Sequence, residues 1–184
     1  MIQEAPIEQV GHGLEPAGPG WFVLNAREAR WRKDDVFGAY TRFEGSDDAK
    51  FSQVGINIGV LQPGQPACLY HREDNQEDFL VLSGECVLLI EGEERSLNAW
   101  DFVHCPAWAE HVIVGAGTGP CVILAVGARV SKDVVYPVSE LAQRYGAGVD
   151  VERRRGADGR AGENPYAGFP PDDDAEFDDS WLPA

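Results

Sequence analysis

Long apolar runs are missing from this chain: no stretch approaches the roughly 18 consecutive apolar residues that a membrane-crossing helix needs. The opening segment MIQEAPIEQVGHG has two glutamates and no apolar core of the kind a secretory signal uses. A soluble, cytoplasmic protein with no membrane partner is the expectation. Positive charge is scarce as well, with 15 Lys and Arg against 31 Asp and Glu and a formal net charge of -16. Phosphate backbones and anionic lipids need clustered cations, so no nucleic-acid partner is expected. The single basic run, Arg153, Arg154 and Arg155, lies beside Asp150 and Glu152 in a glycine-rich stretch and reads as a solvated loop without function. No C-x-x-C pair is present. Cys68, Cys86, Cys105 and Cys121 are 18, 19 and 16 positions apart, which spells neither a zinc knuckle nor a redox motif. Each lies in an apolar stretch and reads as a buried, reduced cysteine.

Helical periodicity is also lacking between Phe51 and Arg129. Short β-branched and apolar runs broken by Gly, Pro and Asn take its place, the pattern of an all-β barrel or sandwich. At 184 residues and 43% hydrophobic composition, one domain with a packed core is expected. The predicted strands are Val54 to Leu61, Phe79 to Leu82, Val87 to Ile90, Phe102 to Cys105, His111 to Val114 and Cys121 to Val126. Ser83-Gly84-Glu85, Glu91-Gly92-Glu93 and Gly115 to Pro120 are short enough to join antiparallel neighbours as hairpins. Upstream, Trp21 to Leu24 and Val36 to Phe43 read as additional strands with Trp31 between them. Downstream, Ser139 followed by ELAQRY and Gly146 reads as a short capped helix. The organisation expected is a flexible leader over 1–20, a barrel over 21–136, a short helix within 137–148 and an acidic Gly/Pro-rich tail over 149–184. In the tail, Phe177, Trp181 and Leu182 could anchor it to the barrel; its acidity is equally compatible with disorder.

Chemistry concentrates in two stretches. In the first, His71 and Glu73 are two apart, so on a strand they leave the same face, and Glu77 opens the next strand after an Asp74-Asn75-Gln76 turn. In the second, Pro106 shapes a turn and His111 begins a strand beyond it. Tyr70 and Arg72 alternate with His71 and should face the other way.

These stretches resemble the paired motifs of the cupin superfamily. The first reads Gly64, six residues, His71, any, Glu73, three residues, Glu77, six residues, Gly84. The second reads Trp100, five residues, Pro106, any, Trp108, two residues, His111, three residues, Gly115. Glu73 stands where the family has a second histidine, Trp100 and Trp108 where it has glycines, and Gly115 where it has asparagine. A register shifted by one would put Tyr70 and Arg72 at the histidine positions and abolish the site. The resemblance covers roughly residues 51 to 129. It implies an antiparallel β-barrel of the double-stranded β-helix (jelly-roll) type with a short C-terminal helix and an acidic extended tail. It also implies one divalent metal ion, Zn, Mn, Fe or Ni, held by His71, Glu73, Glu77 and His111 in a mixed nitrogen and oxygen shell.

Glu77 and Glu73 are then the candidate catalytic carboxylates, with Phe79, His104 and Trp108 lining the pocket. Similar cupins are dioxygenases, isomerases, decarboxylases and lyases, so the implied function is a small-molecule enzyme of oxygenase or isomerase type. A non-catalytic barrel that binds a small ligand or carbohydrate without a metal is the alternative. Many small cupins are dimers, and a homodimer paired through Trp21 to Leu24 is the assembly expected.

Overall fold

The structure is a computed structural model that describes residues 1–156 and 164–183, and nearly every regular element in it is a strand. In chain order these are β1 (Ile7–Val10), β2 (Gly13–Pro16), β3 (Trp31–Asp34), β4 (Gly38–Arg42) and β5 (Val54–Leu61). The two-residue β6 (Arg72–Glu73) precedes β7 (Glu77–Ser83), β8 (Glu85–Ile90), β9 (Glu93–Asn98) and β10 (Phe102–Cys105). Then come β11 (His111–Ala116), β12 (Cys121–Ala128), β13 (Val134–Tyr136), β14 (Arg153–Arg155) and β15 (Asp173–Ala175). One helical turn, α1 (Glu140–Arg144), follows β13; the Ser139 hydroxyl accepts from the Ala142 N–H at 3.2 Å.

The large sheet has the order β10-β7-β12-β5-β4-β3-β15, and β11-β8-β9 forms a second sheet. Alternation in β5, β7 and β12 turns one side of the large sheet inward. There Leu61, Val81 and Ile123 pack with Cys86, Leu88 and Ile113 of the second sheet in one buried cluster. Cys105 and Cys121 join that core and all four cysteines are free, Cys68 being the half-buried one. This is a double-stranded β-helix. A smaller sheet, β14-β13-β6, stands beside these two.

Two of the expected hairpins are crossovers. The chain leaves β7 in the large sheet at Ser83-Gly84-Glu85 and enters β8 in the second, and Gly115 to Pro120 carries it back from β11 to β12. Only Glu91-Gly92-Glu93 joins paired strands, β8 and β9. Strand β9 escapes sequence reading because its EERSLN side chains are nearly all exposed. The segment Trp21 to Leu24 is not a strand; Trp21 makes a single bridge to Glu4. The first 20 residues, expected as a flexible leader, contain the β1-β2 hairpin, tied down through Arg30, which bonds both Glu15 and Asp174. The acidic tail docks. Strand β15 pairs with β3, and Trp181 is buried with its ring 5.1 Å from that of Trp31. Among the described residues no helix is long and apolar enough to cross a membrane.

Candidate metal centre

His71 and His111 face each other across a backbone bridge: His111 N–H donates to the His71 carbonyl at 2.8 Å and His71 N–H to the His111 carbonyl at 3.2 Å. Their rings stand 4.9 Å apart. Each Nδ1 lies 2.9 Å from a backbone carbonyl, Leu69 for His71 and Ala109 for His111. A carbonyl can only accept, so each Nδ1 carries a proton and each Nε2 is left to point inward.

Glu77, the first residue of β7, meets both. Its Oε2 is 3.3 Å from His71 Nε2 and 3.1 Å from His111 Nε2, and the three donor atoms lie within 4.8 Å of one another. The His111 contact has ion-pair distance without hydrogen-bond alignment, which leaves His111 Nε2 as a buried nitrogen with no hydrogen-bond partner. Two inward imidazole nitrogens, one orphaned, beside a carboxylate oxygen, with both Nδ1 protons fixed by carbonyls, fit a divalent first-row metal ion.

Charge is strongly coupled here. Burial disfavours an ionised Glu77, yet the two imidazoles outweigh it and bring the carboxyl down to about 2. Burial likewise opposes charge on His111, but contacts with Cys105 and Glu77 raise it to about 10. His71 also rises well above the ordinary imidazole range against its burial, through Cys68 and Glu77. Without a metal, the cluster therefore favours an ionised Glu77 and proton binding by both imidazoles.

The remaining candidates separate. Phe79 is buried and lines the pocket, its ring 5.5 Å from that of His111. Glu73 is not among the three grouped donors and not in the cavity wall. It lies close enough to feel the cluster, and burial first, then the Glu77 charge, raises its pKa. His104 corrects the expectation of a pocket wall: Val103 and Cys105 point inward, so His104 faces solvent, where its Nδ1 meets Asp78 at 2.7 Å. Trp108 is likewise exposed and outside the cavity wall, in the left-handed region at φ 72°, with its N–H donated to the Glu73 carbonyl at 2.7 Å. Tyr70, expected on the opposite face from His71, is buried among Leu89, Val112 and Val114.

The triad sits in the wall of a cavity of about 760 Å³, which also reaches Tyr40, Arg42, Asn57 and Arg155 and is bounded by Tyr166, Phe169 and Pro170 of the C-terminal segment. Sequence reading missed Cys68, Tyr136 and Tyr166 in this wall. Tyr136 stands with its ring 5.9 Å from that of His71 and 5.9 Å from that of Tyr166. No motif marks these residues, because β13 and the C-terminal segment reach the cavity only through tertiary packing.

Residues 57–127 match the family described as the cupin domain. No curated protein is significantly similar to the chain. Among solved structures, the polyketide cyclase RemF from Streptomyces resistomycificus is 13% identical with a TM-score of 0.51, over 59% of this chain and 80% of that one. A predicted oxalate decarboxylase from Thermotoga maritima is 20% identical with a TM-score of 0.50, over 58% of this chain and 98% of that one. Both share the fold. A proposed sugar phosphate isomerase from Acidithiobacillus ferrooxidans is 28% identical with a TM-score of 0.46, over 53% of this chain and 64% of that one. The chain thus spans just under two thirds of that last protein.

Proposed function

We propose, for a chain whose residues 57–127 are a cupin domain, that it is a metal-dependent enzyme acting on a small molecule, of oxygenase or isomerase type. The observation that carries this reading is the orphaned, buried His111 Nε2 directed with His71 Nε2 toward Glu77, beside a cavity of about 760 Å³. His71, His111 and Glu77 would hold one divalent ion, Zn, Mn, Fe or Ni, whose chemistry when bound is to polarise a substrate oxygen or, for a redox metal, to handle electrons.

The chain's own groups divide the remaining work. Leu69 and Ala109 carbonyls fix the two imidazoles in the ligating tautomer. Phe79 packs against His111 and keeps that side of the site dry. Glu73, outside the wall, pairs with Val134 of β13 and accepts the Trp108 N–H on its carbonyl, which makes it a positioning residue.

Elemental analysis of purified, tag-free protein tests the reading. Near-stoichiometric metal in the wild type, lost in His71→Ala and His111→Ala and retained in Glu73→Gln, is the expected result. A wild type that stays metal-free after incubation with each of the four ions overturns it in favour of a metal-free ligand-binding barrel.

We propose further a cytoplasmic homodimer. The pairing edge cannot be Trp21 to Leu24, which is no strand; β10 supports it better, lying at the rim of the large sheet with Phe102 and the neighbouring Trp100 exposed at 65% and 74%. A monomeric mass in light scattering at micromolar concentration removes this assembly.

A further inference from the structure

Arginines outnumber lysines in this chain, and most of them are engaged. Arg27, Arg30, Arg32, Arg72, Arg95, Arg129, Arg144 and Arg154 each pair with a carboxylate. Among the described arginines, Arg42 and Arg155 make no such pair, and both line the cavity that holds His71, Glu77 and His111. Both are solvent-exposed at the cavity, so neither needs a carboxylate of this chain, and each guanidinium is open to an anion that enters there.

The surroundings of Arg42 sharpen the point. Glu44, two residues along, is already taken by Arg129, whose two terminal nitrogens reach its carboxylate at 2.6 and 2.7 Å. Of the carboxylates in the cavity wall besides Glu77, Asp34 accepts from the Val36 and Phe37 N–H groups, and Asp172 from Arg32 and Tyr40. The Arg42 guanidinium lies 5.1 Å over the Tyr40 ring, which holds it at the wall. Beside it in the strand register is Asn57, half-buried, whose side-chain amide has no hydrogen-bond partner among the described residues. Arg155 comes from a different sheet, on β14, near enough to Tyr136 to lower its pKa against the larger effect of burial. The run Arg153 to Arg155 is thus a strand, not the functionless loop expected from its composition.

Register supplies a length. Phe79, Ala125, Asn57 and Arg42 are successive partners across β7, β12, β5 and β4, so Arg42 stands three strand steps, roughly 14 Å between backbones, from the strand that carries Glu77. Between them Ala125 and Gly59 leave the cavity floor open.

We infer that the cavity takes a small molecule with an anionic oxygen group, carboxylate or phosphate, bound by Arg42, Asn57 and Arg155 while the rest of the molecule extends toward His71, Glu77 and His111. A guanidinium fork matches either group bidentately. This rests on the metal-site reading only for what the far end of the molecule meets.

Calorimetric titration with glutarate, glycerol 3-phosphate and the neutral glutaramide tests it, on wild type, Arg42→Gln, Arg42→Lys, Asn57→Ala and Arg155→Gln, with metal content and melting temperature measured on the same samples. At least one anion should bind saturably and glutaramide should not; which anion binds distinguishes carboxylate from phosphate. Arg42→Gln should weaken that binding by roughly tenfold to a hundredfold at unchanged melting temperature, with Arg42→Lys recovering part of it. No anion binding, equal binding of glutaramide, or Gln variants that bind as wild type does would overturn the inference. If the protein holds no metal but anion binding still depends on Arg42, the metal reading fails and this one stands. If metal is held by wild type and the Gln variants bind anion unchanged, the reverse is true.

Discussion

At the scale of single residues, the metal-free centre and the metal-bound one differ by protons. An imidazole must give up its Nε2 proton to become a ligand, and both imidazoles are raised above their ordinary range in the absence of metal, His111 to about 10. Metal uptake near neutral pH should therefore release close to two protons per ion, and log affinity should climb by about two for each pH unit. A titration in weakly buffered indicator dye at pH 6, 7 and 8 reads this directly. Release of less than one proton would mean that the metal-free imidazoles are already neutral. The juxtaposition of His71, Glu77 and His111 was legible in the sequence because the two motif stretches that carry them meet across the His71–His111 bridge. Glu73 falls outside that group for a physical reason: His71 bridges to His111, whereas Arg72 and Glu73 pair with β13 in another sheet, so the two-residue alternation does not carry across that switch.

At the scale of elements, strand positions were legible and their partners were not, because a turn's composition records a change of direction without recording which sheet follows. Gly84 is the hinge between β7 and β8, with φ of +76° and space for a Cβ only 2.3 Å from the Pro120 carbonyl oxygen. Gly92 has nearly the same φ, +78°, with nothing within 4 Å. Gly92→Ala should therefore cost about 1 kcal/mol from backbone strain alone, and Gly84→Ala about 3 kcal/mol or more, since the backbone must also move apart. Equal urea midpoints for the two variants would show that the close approach at Gly84 is relieved freely. The docked tail gives a second test. Trp181 packs on Trp31 and Phe177, so Trp181→Ala should destabilise by about 3–5 kcal/mol and expose the β15 segment to limited proteolysis before the barrel melts. Its acidity left docking and disorder equally open in the sequence; three interlocked aromatic rings decide for docking.

For the whole molecule, the acidic balance and the buried centre pull stability in opposite directions along the pH scale. Burial works against an ionised Glu44, and likewise against an ionised Asp172, but Arg129 holds the first and Arg32 and Tyr40 the second below the usual carboxylate range. Such groups stabilise the fold above their unfolded values, near 4, and that contribution disappears as pH falls through the folded values. The imidazoles behave inversely. With folded values above the unfolded value of about 6.5, their pairing with Glu77 is fully present below about pH 6.5 and is lost as pH rises toward 10. The metal-free protein should accordingly be most stable between about pH 4.5 and 6.5, and self-repulsion from a net charge of -16 deepens the decline on the alkaline side. A bound metal removes that decline, since it is held by neutral imidazoles and its affinity grows as protons become scarce. Urea midpoints measured from pH 3 to 9, with EDTA and with the ion the purified protein carries, should fall on the alkaline side in the first series and hold or rise in the second. Parallel curves would mean that the His71, Glu77 and His111 cluster does not govern the alkaline limb and that surface charge alone sets it.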